Sequence, residues 1–310
     1  MLLEDYLRLF RLPNIFTVPS NILSGYFTLA TLTSADVLQL VLLVTSSILL
    51  YTSGLVFNDY FDIETDIKER PYRPLASGRI SRRTAFTIAI SSIIFGNLLA
   101  FFAAGRTGLV VSAVVSAIII SYDYKIKETK LGPIAMGLAR AINVVLGASP
   151  ALYLILQNNH LFASMASICF FTFAYILSIS LLSRKEVQSN EDQKDLQKTL
   201  RSIRKTVLVC FSIVFCIIGS LLFIVLLGIF RVDLLVNLVL FSAIIITILF
   251  SQAKFHYSSS SIQNTIKNMV ISIIVFDSMF ISGVVGMYYG LPVLTLLLPA
   301  IFLSRRLYVT

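Results

Sequence analysis

Residues 58–66 read NDYFDIETD, and they close an apolar run over 36–58 that is long enough to cross a bilayer. The basic stretch IKERPYRPLASGR, residues 67–79, follows directly. A membrane-spanning helix takes about 20 apolar residues, so four acids within nine residues stand at its mouth. If the helix runs past the membrane surface at about 100° per residue, Asn58, Asp59, Asp62 and Asp66 share an arc of about 100° while Glu64 points away. Pro71 biases Arg70 towards extended geometry and predicts the helix end near that point. One face of hard oxygen donors open to water suits Mg²⁺ that shares its shell with phosphates. These acids repel one another unless a divalent cation or basic neighbours neutralise them. A solvated loop paired with nearby arginines is the competing reading. The shared face and the adjoining membrane helix favour the ligand role.

The rest of the chain sets this motif in a membrane. Of 310 residues 57% are hydrophobic and 13% charged, against about 25% charged in a soluble domain. Mean hydropathy is +0.87. Nine long hydrophobic segments span roughly 14–33, 36–58, 84–104, 107–122, 132–156, 162–183, 206–230, 232–251 and 266–290. A tenth, 291–303, is short and holds Pro292 and Pro299, so it is expected to dip rather than span. The runs are continuous rather than alternating, which argues against a transmembrane β-barrel. The fold expected is an all-α, polytopic membrane helical bundle of about nine transmembrane helices, one domain over 1–310.

The formal charge of +9 is distributed by loop, which points away from nucleic acid. Lys68, Arg70, Arg73, Arg79, Arg82 and Arg83 follow the second segment. Lys125, Lys127 and Lys130 follow the fourth, and a run from Arg184 to Lys205 follows the sixth. The alternate loops offer only Arg106 and Arg231. This asymmetry places the N-terminus and the loops after even segments in the cytoplasm. The N-terminus carries Glu4, Asp5, Arg8 and Arg11 ahead of its apolar run and reads as an amphipathic lead-in rather than a cleavable signal. Cys169, Cys210 and Cys216 lie in apolar runs without metal spacing and read as small buried hydrophobes. His160 and His256 lie in loops and receive no catalytic role.

NDYFDIETD followed by RPYRPLASGRIS (residues 70–81) closely resembles the NDxxDxxxD and RPxxSG signature of the UbiA superfamily of intramembrane prenyltransferases. RLFRLPN (8–14) is similar to that family's first-helix entry, and YDYKIKETKLGP (122–133) to its tyrosine–lysine loop after helix four. The resemblance covers nearly the whole chain. It implies a helical bundle around a central cavity, a Mg²⁺-bound allylic polyprenyl diphosphate at the cytoplasmic face, and transfer of the prenyl chain to an acceptor. Carried over residue by residue, Asn58, Asp59, Asp62 and Asp66 match the metal motif, and Tyr122 and Lys127 the phosphate-contacting loop. The chemistry suits these residue types: Mg²⁺ with Lys or Arg stabilises charge developing on a diphosphate leaving group, and a bundle interior shields the allylic cation from water. Arg73, Arg79 and Lys127 are candidate diphosphate clamps, although retention of positive charge on the cytoplasmic side explains each arginine equally.

The family's second Asp-xxx-Asp motif falls where this chain reads LLSRKEVQSNEDQKD (181–195). Glu186 and Asn190 stand in register on one helical face, while Glu191, Asp192 and Asp195 fall on the other. Glu186 and Asn190 are therefore the expected ligands of a second metal; loss of that metal, with the stretch a polar connector, is the other reading. SRKEV (183–187) and the ending LSRRLYVT (303–310) also resemble an EboC-like subgroup of the family.

Within the membrane, Arg140 and Asn143 lie on one face of MGLARAINVVLGASP (136–150), and Asp277 lies in VISIIVFDSMFISG (270–283). An intramembrane charge lines a cavity or pairs internally. Two readings follow: a buried Arg140–Asp277 pair, or contact of Arg140 and Asn143 with the acceptor or the diphosphate. Asn14 and Asn21 line the cavity or pack between helices. The function expected is a Mg²⁺-dependent prenyltransferase acting on an aromatic or lipid-like acceptor, with Asp62, Lys127 and Tyr122 at the reaction centre. A non-catalytic binder or transporter of prenyl or lipid diphosphates is the alternative.

Overall fold

Apolar stretches hide their backbone polar groups in lipid by closing them into helices, and every regular element among the described residues is helical. The computed structural model describes residues 2–29, 36–191, 196–254 and 259–306, with side chains over 4–28, 36–184, 201–252 and 261–305. The N-terminal half comprises α1 (Leu2–Leu9), α2 (Leu12–Ile15), α3 (Thr17–Leu29), α4 (Val37–Phe61), α5 (Ile63–Glu69), α6 (Arg82–Tyr124), α7 (Gly132–Ala148) and α8 (Leu152–Gln157). The remainder comprises α9 (Asn159–Glu191), α10 (Leu196–Leu226), α11 (Leu234–Lys254), α12 (Ser259–Ile271), α13 (Ile273–Val285), α14 (Met287–Val293) and α15 (Leu297–Arg306).

Eight helical stretches among the described residues are long and apolar enough to cross a membrane. One of them, α6, has 43 residues and would be about 65 Å long if straight, twice the hydrocarbon thickness. It instead turns at Ala104 and Gly105, the latter at φ 60°, a backbone that glycine adopts without a Cβ penalty. The two arms fold back on each other: Ser112 Oγ donates to Asn97 Oδ1 (2.8 Å) and Asn97 Nδ2 to Ser116 Oγ (2.9 Å). The segments read at 84–104 and 107–122 are these two arms. The short tenth segment is part of Met287–Arg305, which is itself long and apolar enough to cross. The segment read to residue 290 ends earlier, at Gly286 with φ 103°.

The two larger apolar cores among the described residues organise the bundle. One joins α9, α10, α11 and α13 through Tyr175, Phe211, Phe241, Phe276 and Phe280, with the Tyr175 and Phe276 rings stacked at 4.9 Å. The other joins α3, α4, α6 and α7 through Ile22, Leu43, Leu50, Val115 and Leu146. Helix α7 serves both, since Val144 and Ala148 belong to the first and Leu146 to the second. It lies close against α3 because Gly25 faces the Val144 carbonyl and Gly147 faces the Ile22 carbonyl, the small-residue contact by which membrane helices approach.

Gly147→Ala should therefore destabilise the protein by about 1–3 kcal/mol through overpacking against backbone. Gly219→Ala, which meets open space, should stay within about 0.5 kcal/mol of wild type. Thermal unfolding in detergent checks both, and equal losses would contradict the packing described.

Candidate active site at the mouth of the bundle

The hydrogen-bond ladder continues from α4 into α5 across a bend at Asp62: Asp62 N–H donates to the Asn58 carbonyl (3.0 Å) and Asp66 N–H to the Asp62 carbonyl (2.8 Å). The helical register is kept, so Asp59 and Asp66 turn inward, to 4% and 3% exposure, while Glu64 stays exposed. Asn58 and Asp62 are half-buried, and α5 ends at Glu69, just before Pro71.

Buried carboxylates need counter-charge, and Arg73 supplies it from the loop after α5. Its Nη1 lies 2.7 Å from Asp66 Oδ2 and 3.3 Å from Asp59 Oδ1, and Arg73 is itself 6% exposed. Arg70 stands 4.0 Å from Asp66. Burial pushes the Asp66 carboxyl above its ordinary value despite the pull of Arg73, so the arginine does not fully offset desolvation. A second guanidinium arrives from the N-terminus: Arg11 Nη2 donates to Asp59 Oδ1 (3.0 Å) and Asn58 Oδ1 (3.5 Å). Arg11 holds φ 42° between α1 and α2, the one non-glycine in that region among the described residues, and such strain persists where surroundings fix it. Burial would lower its pKa, but Asp59 and its neighbours hold it above the ordinary value.

The opposite wall comes from the α6–α7 connection. Lys127 Nζ pairs with Asp62 Oδ1 at 2.5 Å, and Asn58 Nδ2 donates to Asp123 Oδ1 at 3.3 Å. Arg184, the last residue of α9 whose side chain is described, donates to the carbonyls of Lys127 (2.7 Å) and Thr129, and so fixes the lysine loop. Behind this charged mouth a cavity of about 410 Å³ opens, lined at its entrance by Arg11, Asn58, Arg70, Arg73, Tyr122 and Asp123. Deeper walls include Asn14, Leu50, Val115, Ile119, Arg140 and Asn143.

The structure thus gathers Asn58, Asp59, Asp62, Asp66, Arg73, Tyr122 and Lys127 at one mouth, with Asn14, Arg140 and Asn143 along the same cavity. Arg79 goes elsewhere. It lies 3.3 Å from Asp5 and donates to the Tyr72 carbonyl, exposed on the outer side of the loop, because α1 offers it a carboxylate. Arg140 and Asp277 are joined through Asn21 rather than directly: Arg140 Nη1 donates to Asn21 Oδ1 (3.0 Å), and Asn21 Nδ2 to Asp277 Oδ2 (2.9 Å). Glu186 and Asn190 lie in the last turns of α9, and their side chains fall outside the described residues. Arg11, Asp123 and Arg184 were not singled out from sequence. Arg11 and Asp123 lie in quoted motifs whose spacing carries no sign of their partners.

Among the described residues no three acidic, histidine or cysteine side chains converge to cage a metal ion. Mg²⁺ bound with phosphates takes only one or two carboxylates and keeps water besides. The donor set fits that kind of site, since a single cationic nitrogen already sits against both Asp59 and Asp66.

Fold and site define a multi-pass integral membrane helical bundle with a charged mouth over an apolar cavity. The model of the UbiA prenyltransferase family matches residues 18–274. The chain belongs to the UbiA prenyltransferase family. A digeranylgeranylglyceryl phosphate synthase of Hyperthermus butylicus is 30% identical over 200 residues, 62% of this chain and 64% of that protein. The chain thus spans less than two thirds of that relative's length. The apo structure of a UbiA homolog from Aeropyrum pernix K1 aligns with a TM-score of 0.65 at 14% identity, covering 85% of this chain and 97% of that one. A UbiA homolog from Archaeoglobus fulgidus, bound to DMAPP and Mg²⁺, aligns at 0.57 and 16% identity over 94% and 99%.

Arg73→Gln leaves Asp59 and Asp66 without their shared counter-charge, and the protein should lose about 3 kcal/mol of stability in metal-free buffer. Thermal unfolding measures this; a melting point equal to wild type would show that Arg73 is not the main counter-ion.

Proposed function

We propose that the protein is a Mg²⁺-dependent prenyltransferase that moves the prenyl chain of an allylic polyprenyl diphosphate to an aromatic or lipid-like acceptor. The observation that carries this is the continuity of one cavity, from a mouth of paired acids and bases to an interior walled largely by apolar side chains. The names of the relatives favour a lipid-like acceptor, and the Archaeoglobus homolog's bound DMAPP and Mg²⁺ support the donor and the metal. The distribution of basic residues among the loops favours the cytoplasmic side for the mouth.

Asn58, Asp59, Asp62 and Asp66 would hold Mg²⁺, with Glu186 and Asn190 assigned to a second ion. The metal, when bound, neutralises charge developing on the leaving diphosphate. Lys127 and Arg73 sit where they exchange a carboxylate partner for a phosphate oxygen, the charge-assisted pairing that suits both. Tyr122 adds a hydroxyl at the cavity entrance. Arg184 is a positioning residue, acting through the carbonyls that set the Lys127 loop. Val115, Ile119 and Leu50 exclude water from the path of the hydrocarbon and of the cation formed when the C–O bond breaks. The acceptor then forms the new bond and loses a proton.

Asp62→Ala should lower Mg²⁺-dependent pyrophosphate release from allylic diphosphates by about 10²–10³-fold while leaving the protein extractable and folded. Retained release would remove Asp62 from the reaction. Diphosphate binding without release in wild type, across several chain lengths and acceptors, would replace the transferase by a lipid-diphosphate binder.

A further inference from the structure

Helix α10 packs on one side and is open on the other. Ile203, Val207, Cys210 and Val214 are buried in the core shared with α9, α11 and α13, with Cys210 Sγ against the Ser178 carbonyl of α9 (3.1 Å). The opposite stripe carries Leu208, Phe215, Leu222 and Leu226, at 54%, 44%, 46% and 83% exposure, and an open apolar face on a membrane-spanning helix meets lipid. From Thr206 to Leu226 the helix carries no charge and spans about 30 Å, the thickness of the hydrocarbon. Directly before this run come Arg201, Arg204 and Lys205, all exposed. At about 100° per residue they fall within one arc of about 100°, and Leu208, Phe215, Leu222 and Leu226 fall inside the same arc. Three cations thus stand on the lipid-facing stripe, at the depth of the lipid phosphates. They lie at the end of the bundle that holds the mouth, where α9 places Arg184.

These cations have no counter-charge on their own helix. The sequence of α10 contains no acid, and none of the three has an ion pair or hydrogen-bond partner among the described residues. Like charges at i, i+3 and i, i+4 destabilise a helix, so Arg201 beside Arg204 and Lys205 is unfavourable unless an anion lies among them. Elsewhere at this end Arg73 and Lys127 pair with carboxylates, Arg82 lies over the Tyr60 ring at 5.0 Å, and Arg184 takes two carbonyls. Retention of positive charge on one side of the membrane accounts for the sign of the α10 cluster. It does not account for the cluster's place on the lipid stripe or for its lack of partners.

We propose that Arg201, Arg204 and Lys205 form a docking surface for the headgroup of an anionic phospholipid. Its phosphodiester takes the paired N–H groups of a guanidinium, and its acyl chains lie along Leu208, Phe215 and Leu222. The three cations span about 6 Å along the helix axis, so a single headgroup reaches more than one of them. A zwitterionic headgroup offers the same phosphate but brings an ammonium of its own towards the cations, and the cluster selects against it. The site stands apart from the transferase reading. It adjoins the α9–α10 pair, whose Arg184 sets the Lys127 loop at the mouth.

The chain contains no tryptophan, so Leu208→Trp puts a single fluorophore on the stripe, one turn from Arg204 and Lys205. In vesicles of phosphatidylcholine and phosphatidylglycerol in equal parts, brominating one lipid or the other reports which of them lies against that ring. Brominated phosphatidylglycerol should quench as though enriched about threefold or more over phosphatidylcholine. Phe223→Trp, at the far end of the same stripe, should show no such preference. Adding Arg201→Gln, Arg204→Gln and Lys205→Gln to Leu208→Trp should bring its enrichment down to the Phe223→Trp value. Equal quenching by the two lipids at Leu208→Trp overturns the proposal without any cation being removed. Equal enrichment at Phe223→Trp also overturns it, by making the preference a property of the net charge of the whole chain. Enrichment that survives loss of the three cations overturns it too. So does a Leu208→Trp ring that neither lipid quenches, which would put a protein surface, such as a second copy of the chain, on this face.

Discussion

Where α4 leaves the bilayer, Arg73 holds Asp59 and Asp66 with one guanidinium nitrogen. Two carboxylates at that burial repel each other and lose hydration, and without a cation between them the bend from α4 into α5 would have to open towards water. The loop that carries Arg73 is in turn shaped by this contact, since the side chain is buried along with its chain neighbours Pro74 and Leu75. Arg11 fixes the N-terminal lead-in to the same Asp59. One electrostatic knot therefore sets the relative places of α2, α4, α5 and the loop to α6.

Deeper in the bundle a second polar chain has a different character. Arg140, Asn21, Ser20 and Asp277 tie α7, α3 and α13 together by hydrogen bonds rather than by an ion pair in contact. Spacing the charges through an amide keeps the guanidinium at the cavity wall instead of drawing it onto Asp277. The close α3–α7 approach at Gly25 and Gly147 makes that spacing rigid, because neither helix has room to slide. The packing of small residues and the placement of an intramembrane charge are thus parts of one arrangement.

The legible part of this architecture was the part written in local periodicity. The inward turn of Asp59 and Asp66 and the outward turn of Glu64 follow from helical register, and that register survives because the i, i+4 hydrogen bonds run through Asp62. The two arms of α6 were separable from sequence because Gly105 and Arg106 interrupt an otherwise apolar stretch. Long-range choices were not legible. Arg79 and Arg73 occur in the same loop with the same charge, yet one reaches Asp5 and the other Asp59 and Asp66. Arg11 meets a partner 48 residues away, and no periodicity encodes that. Asn21 as the bridge between Arg140 and Asp277 depends on three helices meeting at one depth.

The balance of charge at the mouth bears on how a diphosphate would enter. Arg11, Arg70, Arg73 and Lys127 stand against Asp59, Asp62, Asp66 and Asp123. A mouth so balanced has little net attraction for an anion approaching alone, since each cation is already engaged by a carboxylate or stands next to one. In the proposed reaction Asp59, Asp62 and Asp66 would hold Mg²⁺, which would supply the counter-charge that the bases give them here, and Arg73 and Lys127 would then be left to meet phosphate oxygens. The proposed donor is then recognised as a metal–diphosphate pair rather than as two ligands in turn. In that reading Lys127, paired with Asp62 here, would turn to the leaving group while Arg184 keeps its loop in place.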